Sequence, residues 1–339
     1  MRDYRFFAIS SDGVSGGIYD VTLNTETGAM TSSLRTRCPH LNYLIHDPGR
    51  NMFYGSVSRW REGEGGLAVF DADCDLLQIT AVGGANTCHL ALSPDGLFLY
   101  TAQYGDGTVS EFPLDKAGMP GEPRVFRRSG CGKDPERQEC PHAHFAGFTP
   151  EKDRLMIVDL GLDTVFFYPW KAGKGIADTP VAAKVSAGEG PRHLIYATDN
   201  RRFFVANELG STVSCFNWHN GMAELAGTSS TLLQDPAVRN WPGAIRLSPD
   251  GRYLLVSNRG DDSIAAFALE ENALTLIRTT GSGGHWPRDF AFTPDGKFVI
   301  TANERSGNLA SFRYQPENGA LIPCGRTTEI PLVLNCVYV

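Results

Sequence analysis

Repetition constrains this chain more than any other feature. The segment LSPDGLFLYTAQYGDGTVSEF at 92–112 recurs as LSPDGRYLLVSNRGDDSIAAF at 247–267 and as FTPDGKFVITANERSGNLASF at 292–312. Weaker copies run at 46–70, 148–168 and 196–216. Each copy reads as a short strand, a Pro/Asp/Gly turn, a β-branched or aromatic strand, a second polar turn and another strand. Period-two segments joined by such turns are antiparallel hairpins. Helical repeats of similar length need a 3.6-residue period, which is missing here.

The residue five positions before each turn-starting Ser or Thr, or its equivalent, forms a column: Asn42, Cys88, His144, Arg192, Gly243 and Arg288. The steps between these residues are 46, 56, 48, 51 and 45 positions. That is the spacing of four-stranded propeller blades. GAMTSSLRT, GEPRVFRR, ALTLIRTT and GALIPCGR supply candidate fourth strands. The ends supply a seventh blade. LVLNCVYV reads as a first strand with nothing after it, and YRFFAIS and GGIYDVTL read as second and third strands with nothing before them. The chain is therefore expected to be all-β, a seven-bladed β-propeller of four-stranded antiparallel blades. It should form one domain over 1–339, with the ring closed by the N- and C-terminal strands and with very little helix. Closure removes open sheet edges. The long step contains an inserted loop, RRSGCGKDPERQECPH, at 127–142.

Composition narrows the partners. The formal net charge is −7 and no basic stripe stands out, which argues against nucleic acid. No apolar run is long enough to cross a bilayer, and the N-terminal MRDYRFFAISSDG turns polar too quickly for a secretory signal. A cytoplasmic protein away from membranes is expected, either a monomer or a weak dimer. The eight cysteines contain no C-x-x-C pair and read as reduced thiols. Cys131 and Cys140 flank the inserted loop and could pair under oxidation.

Propeller geometry turns the columns into a site. The first strand of a blade lines the central channel, and its start lies beside the end of the antiparallel second strand. One mouth should then gather His144, Arg192 and Arg288 from the first column. The second strands end at Ser56, Gln103, Asp159, Asn207, Asn258 and Asn303, followed by Val57, Tyr104, Leu160, Glu208, Arg259 and Glu304. The Asn and Asp residues are expected to be turn formers. The charged residues beside them are expected to make a cationic pocket for an anionic small molecule, because arginine donates in a fixed fork. His142 and His144 are expected to share one strand face. His-x-His is a known metal-ligand spacing, but the other ligands are incomplete and arginines are poor company for a cation, so no metal is expected.

GPRHLIYATDNRRFFVANELGSTV, PHAHFAGFTPEKDRLMIVDLGLDTV, SPDGRYLLVSNRGDDSIAAF and PRDFAFTPDGKFVITANERSGNL resemble the lactonase family of seven-bladed propellers. The resemblance implies a site that needs neither metal nor cofactor, built from His144, Arg192, Glu208 and Arg259. Arg137 and Gln138 of ERQE match a loop motif of the family and are expected to reach the substrate.

The expected reaction is hydrolysis of a sugar-acid lactone, foremost 6-phosphogluconolactone. Glu208 would take a proton from water and Arg192 would orient it. His144 with Arg192 would donate to the oxyanion, while Arg259 and Arg288 would grip the anion, with His142 further out. No G-x-S-x-G elbow is present, so no nucleophilic serine is expected. Two other readings compete. One is a cyclase closing a lactone from a carboxymuconate-type dicarboxylate. The other is a non-enzymatic propeller binding a protein partner through rim residues such as Trp60, Trp241 and Trp286.

Overall fold

The computed structural model describes residues 3–234, 239–270 and 273–338. No helix occurs among them. The strands form seven antiparallel sheets, of which six have four strands each. The remaining sheet differs from expectation. Its fourth strand is broken into Gly175–Ile176 and Val181–Lys184, both pairing with Thr164–Lys171. The terminal sheet is as the sequence predicts: Val333–Val337 pairs with Tyr4–Ser10, which is followed by Gly17–Leu23 and Met30–Arg37.

The chain divides into two compact units. One contains 40–192 and 218–225, and with them the three sheets that begin at Leu41, Thr87 and Ala143. The other contains 1–39, 193–217 and 226–339, with the terminal sheet, the sheets beginning at Pro242 and Pro287, and most of the sheet beginning at Pro191. Within each unit the core lies between consecutive sheets. In the first, Tyr100 and Val109 pack with Ala143, Leu155 and Ile157. In the second, Leu255 and Ile264 pack with Phe290, Val299 and Phe312, and Phe6 and Val21 pack with Ile300, Leu309 and Val333. Alternation supplies these faces, since successive side chains on a strand point opposite ways.

The repeated Ser/Thr-Pro-Asp-Gly turns share one mechanism. Asp95 Oδ1 accepts from Ser93 Oγ at 2.6 Å and from Leu97 N at 3.0 Å. Asp250 and Asp295 repeat this with Ser248 and Arg252, and with Thr293 and Lys297.

One irregularity recurs at the same place. Thr87 pairs with Gln103 and His89 with Ala102, which leaves Cys88 as an extra, unpaired residue. Asn42, His144 and Arg288 are left out of register in the same way. In the terminal sheet the extra residue is Leu334, which the sequence column did not include. In the sheet beginning at Pro242, Gly243 and Ala244 together face Ser257. A bulge of this kind bends the strand and re-aims the side chain it carries. Gly243 is needed for space, because a Cβ there would lie 2.7 Å from Ser257 Oγ and 2.9 Å from the Arg288 carbonyl oxygen.

Candidate functional site

The column residues take the positions expected of them. Cys88, His144, Arg192 and Arg288 are each the second residue of a first strand. Gln103, Asp159, Asn207, Asn258 and Asn303 each end a second strand, whereas the strand through Ser56 runs on to Arg61.

The four-sheet unit contains a buried ion pair. Glu208 and Arg259 are both buried, and Arg259 Nη2 lies 2.5 Å from Glu208 Oε2. Each follows an asparagine that fixes its strand end. Asn207 Nδ2 donates to Thr212 Oγ1 and Ser214 Oγ, and Asn258 Nδ2 donates to the Thr231 carbonyl and Ser263 Oγ. Arg259 Nε donates to the Trp241 carbonyl at 3.0 Å and Nη2 to that of Pro242 at 3.3 Å. Nη1 makes no hydrogen bond among the described residues. Burial pulls the Arg259 guanidinium below its ordinary range, Glu208 pushes it back up, and Arg288 adds to the lowering.

Arg288 lies in the same unit, its Nη1 3.2 Å from Glu304 Oε2, and both side chains remain partly exposed. The pocket expected to be cationic therefore carries a carboxylate for each of these two arginines. Trp286 joins the cluster. Its ring is 5.1 Å from that of Trp241, Arg259 stands 5.6 Å from its centroid, and the exposed Arg305 stacks on it at 3.3 Å. Trp286 has φ of 66°, an uncommon value for a bulky residue. It is pinned there by its N–H to Asp262 Oδ1 and by its carbonyl accepting from Glu304 N. The sequence marked Trp286 only as a rim residue, because nothing local announces a left-handed tryptophan.

In the three-sheet unit, His144 is buried and its Nδ1 lies 3.9 Å from Cys88 Sγ. Tyr104, which follows Gln103, meets both histidines: edge-on to His144 at 5.5 Å and stacked on His142 at 4.6 Å. The shared strand face is not how they meet, since the strand starts at Ala143 and His142 precedes it. The bulge at His144 then breaks the simple alternation on which the expectation rested. His142 N donates to Asp159 Oδ1, and Asp159 Oδ2 pairs with Arg128 at 3.1 Å, so this turn-forming aspartate is also a fully buried charge.

The inserted loop contributes Arg137, whose Nη2 donates to Tyr104 Oη at 3.0 Å. Gln138 is fully buried. Its amide donates to the Leu160 carbonyl and Asp163 Oδ1 and accepts from Lys133 N and Asp134 N. It shapes the loop that carries Arg137. Cys131 and Cys140 are free thiols. Arg192 is buried, in the strand Pro191–Tyr196 next to Arg202–Asn207, the strand that Glu208 follows.

A family model described as lactonase, 7-bladed beta-propeller, matches residues 6–338, so the chain belongs to that family of lactone-hydrolysing enzymes and its seven sheets are the propeller's blades. It is 32% identical over 268 residues to the 6-phosphogluconolactonase of Bacillus subtilis strain 168, covering 76% of this chain and 75% of that one. Among solved structures, the periplasmic gluconolactonase of Pseudomonas aeruginosa matches with a TM-score of 0.88 and 27% identity, over 100% of this chain and 99% of that one. A protein from Lactobacillus plantarum matches with a TM-score of 0.91 and 28% identity over all of both chains. No helix among the described residues is long and apolar enough to cross a membrane.

Proposed function

We propose that the protein hydrolyses 6-phosphogluconolactone to 6-phosphogluconate, with Glu208 as general base. The buried Glu208–Arg259 pair carries this reading. A carboxylate held beside a guanidinium, inside a fold of this family, has the chemistry ester hydrolysis needs: a proton acceptor next to fixed donors. Glu208 accepts one proton from water, and the oxygen adds to the lactone carbonyl carbon. The resulting oxyanion takes hydrogen bonds, and its collapse breaks the ring C–O bond. The proton returns to the departing ring oxygen, so water is the only co-reactant.

Arg259 orients Glu208 through Nη2 and offers Nη1 to substrate. Arg288 takes the phosphate, exchanging Glu304 for it. The aligned sequence columns, together with the family resemblance, support a role for His144 and Arg192 in oxyanion stabilisation. Arg137 grips the distal end of the substrate, and His142 stands behind Tyr104.

The relatives' names separate two substrates, the phosphorylated lactone and the plain one. A panel of 6-phosphogluconolactone, gluconolactone and carboxymuconates tests the assignment. The phosphorylated lactone should show the highest kcat/KM. Higher kcat/KM on gluconolactone would remove the phosphate role of Arg288. Turnover of muconates alone would make the enzyme a cyclase, and turnover of none would favour a binding protein.

A further inference from the structure

The inserted loop ends in Glu139, Cys140 and His142, and these three side chains converge. His142 Nε2 lies 3.3 Å from Glu139 Oε1 and 3.8 Å from Cys140 Sγ, and Cys140 Sγ lies 4.0 Å from Glu139 Oε1. The other nitrogen of His142 decides how to read this. Nδ1 sits 2.5 Å from the Tyr104 carbonyl oxygen, which can only accept, so Nδ1 carries a proton. Nε2 is the nitrogen left to face the Glu139 carboxylate and the Cys140 sulfur.

We propose that Glu139, Cys140 and His142 form a binding site for a borderline-soft divalent cation of the zinc type. The separations fit. Tetrahedral zinc with bonds of about 2.0–2.3 Å to N, O and S places its ligand atoms about 3.4–3.6 Å apart. The three atoms here are already within about half an ångström of that triangle. The ligand set mixes sulfur, imidazole nitrogen and carboxylate oxygen, a combination that suits zinc better than magnesium or calcium. The Nδ1–H to a backbone carbonyl is the support that metal-bound histidines ordinarily have, fixing ring and tautomer.

Glu139 is 53% exposed, so water has access to a fourth position. Burial holds the Cys140 thiol above its usual range, and the nearby carboxylates of Glu139, Asp159 and Asp106 add to this. The same field favours a cation once one arrives. Binding exchanges the thiol proton for the metal, releasing one proton to solvent and leaving the sulfur as thiolate. The ion would fasten the end of the loop that carries Arg137 and takes no part in the lactone chemistry.

The test uses the full chain, stripped with chelator and titrated with cobalt(II), then zinc(II). One cobalt should bind per chain with a thiolate-to-cobalt charge-transfer band in the near ultraviolet, displaced by zinc. Cys140→Ser should abolish the band and weaken binding at least about tenfold, since loss of a mere supporting partner of a ligand already costs that much. Cys131→Ser should leave the band intact. Zinc should raise the unfolding midpoint of the unsubstituted chain and not that of Glu139→Gln. Absence of the band, its survival in Cys140→Ser, or a midpoint rise unchanged by Glu139→Gln would overturn the proposal. The contacts would then be His142 paired with Glu139 and nothing more.

Discussion

Arg259 Nη2 stands 2.5 Å from Glu208 Oε2, with the two side chains only 6% and 5% exposed. A pair this deep is held in place by what surrounds it. The Trp241 and Pro242 carbonyls take two further donors of the arginine, and asparagines fix both strand ends. Removing one partner of such a pair leaves the other charge buried alone, at a cost of about 3–5 kcal/mol.

Glu208→Gln keeps the shape and removes the proton acceptor. On the folded fraction, kcat should fall by roughly 10²-fold with little change in KM, the usual contribution of a general base. The unfolding midpoint should also drop, because Arg259 loses its counter-charge. Near-normal turnover would take Glu208 out of the mechanism and pass the base role to His144.

Arg288→Ala should behave differently. Its pair with Glu304 is 23% and 22% exposed, so breaking it should cost about 1 kcal/mol or less of stability. Kinetically, KM for the phosphorylated lactone should rise about tenfold with kcat nearly unchanged, as for a group that grips ground state and transition state alike. A fall in kcat at constant KM would move Arg288 into the chemistry.

Arg192→Lys tests whether a fork is required or only a charge. Lysine keeps the charge and loses the paired donors. A kcat loss of at least about tenfold is expected, the scale of one misplaced charge-assisted hydrogen bond. Steady-state kinetics that match the unsubstituted enzyme would exclude Arg192 from oxyanion stabilisation.

Deleting 332–339 removes Val333–Val337, the partner of Tyr4–Ser10, together with Val333 and Leu334 from the core. The shortened chain should melt well below the full one or collect as aggregate through its exposed strand edge. An unchanged unfolding midpoint would show that this pairing is dispensable.

Acid should weaken the protein through its turns. Burial works against the charge of Asp95, but hydrogen bonds from Ser93, Leu97 and Gly173 outweigh it and hold the carboxyl below its ordinary range. At Asp250 burial is outweighed by Ser248 and Arg252, and at Asp295 by Thr293, Lys297 and Tyr4. A depressed folded value means the stabilisation is fully present above the unfolded value, about pH 3.9. It is lost as pH falls through the lower folded values. Unfolding midpoints should therefore decline below about pH 4. Asp95→Asn, Asp250→Asn and Asp295→Asn combined should lower the midpoint at neutral pH and flatten that decline. An unchanged acid limb would assign it to other carboxylates.

The seven sheets were legible because the turn chemistry and the period-two alternation repeat in sequence, and repeated copies check one another. The pairing of the two terminal segments was legible from what each lacked. The second-strand ends were legible because Asn and Asp there serve the backbone. The bulges were not, since register depends on which partner residues face each other and not on the residue that slips. That is why Leu334 was missed and why His142 and His144 were placed on one face. Arg128, which answers Asp159, lies in an inserted loop with no counterpart in other copies. The Trp286–Arg305 stack depends on a backbone angle that composition does not reveal.

The recurrent bulge has an evolutionary consequence. The residue it expels from register is asparagine, cysteine, histidine, arginine or leucine in different sheets, while the flanking residues keep pairing. Scaffold and readout are thereby uncoupled: the neighbours hold the strand, and the displaced side chain varies without asking the ladder to change. A duplicated hairpin can acquire a new chemical letter at that slot by a single substitution. Divergence of substrate preference within such a fold should accordingly appear at Asn42 and Arg288 before it reaches the strand residues that flank them.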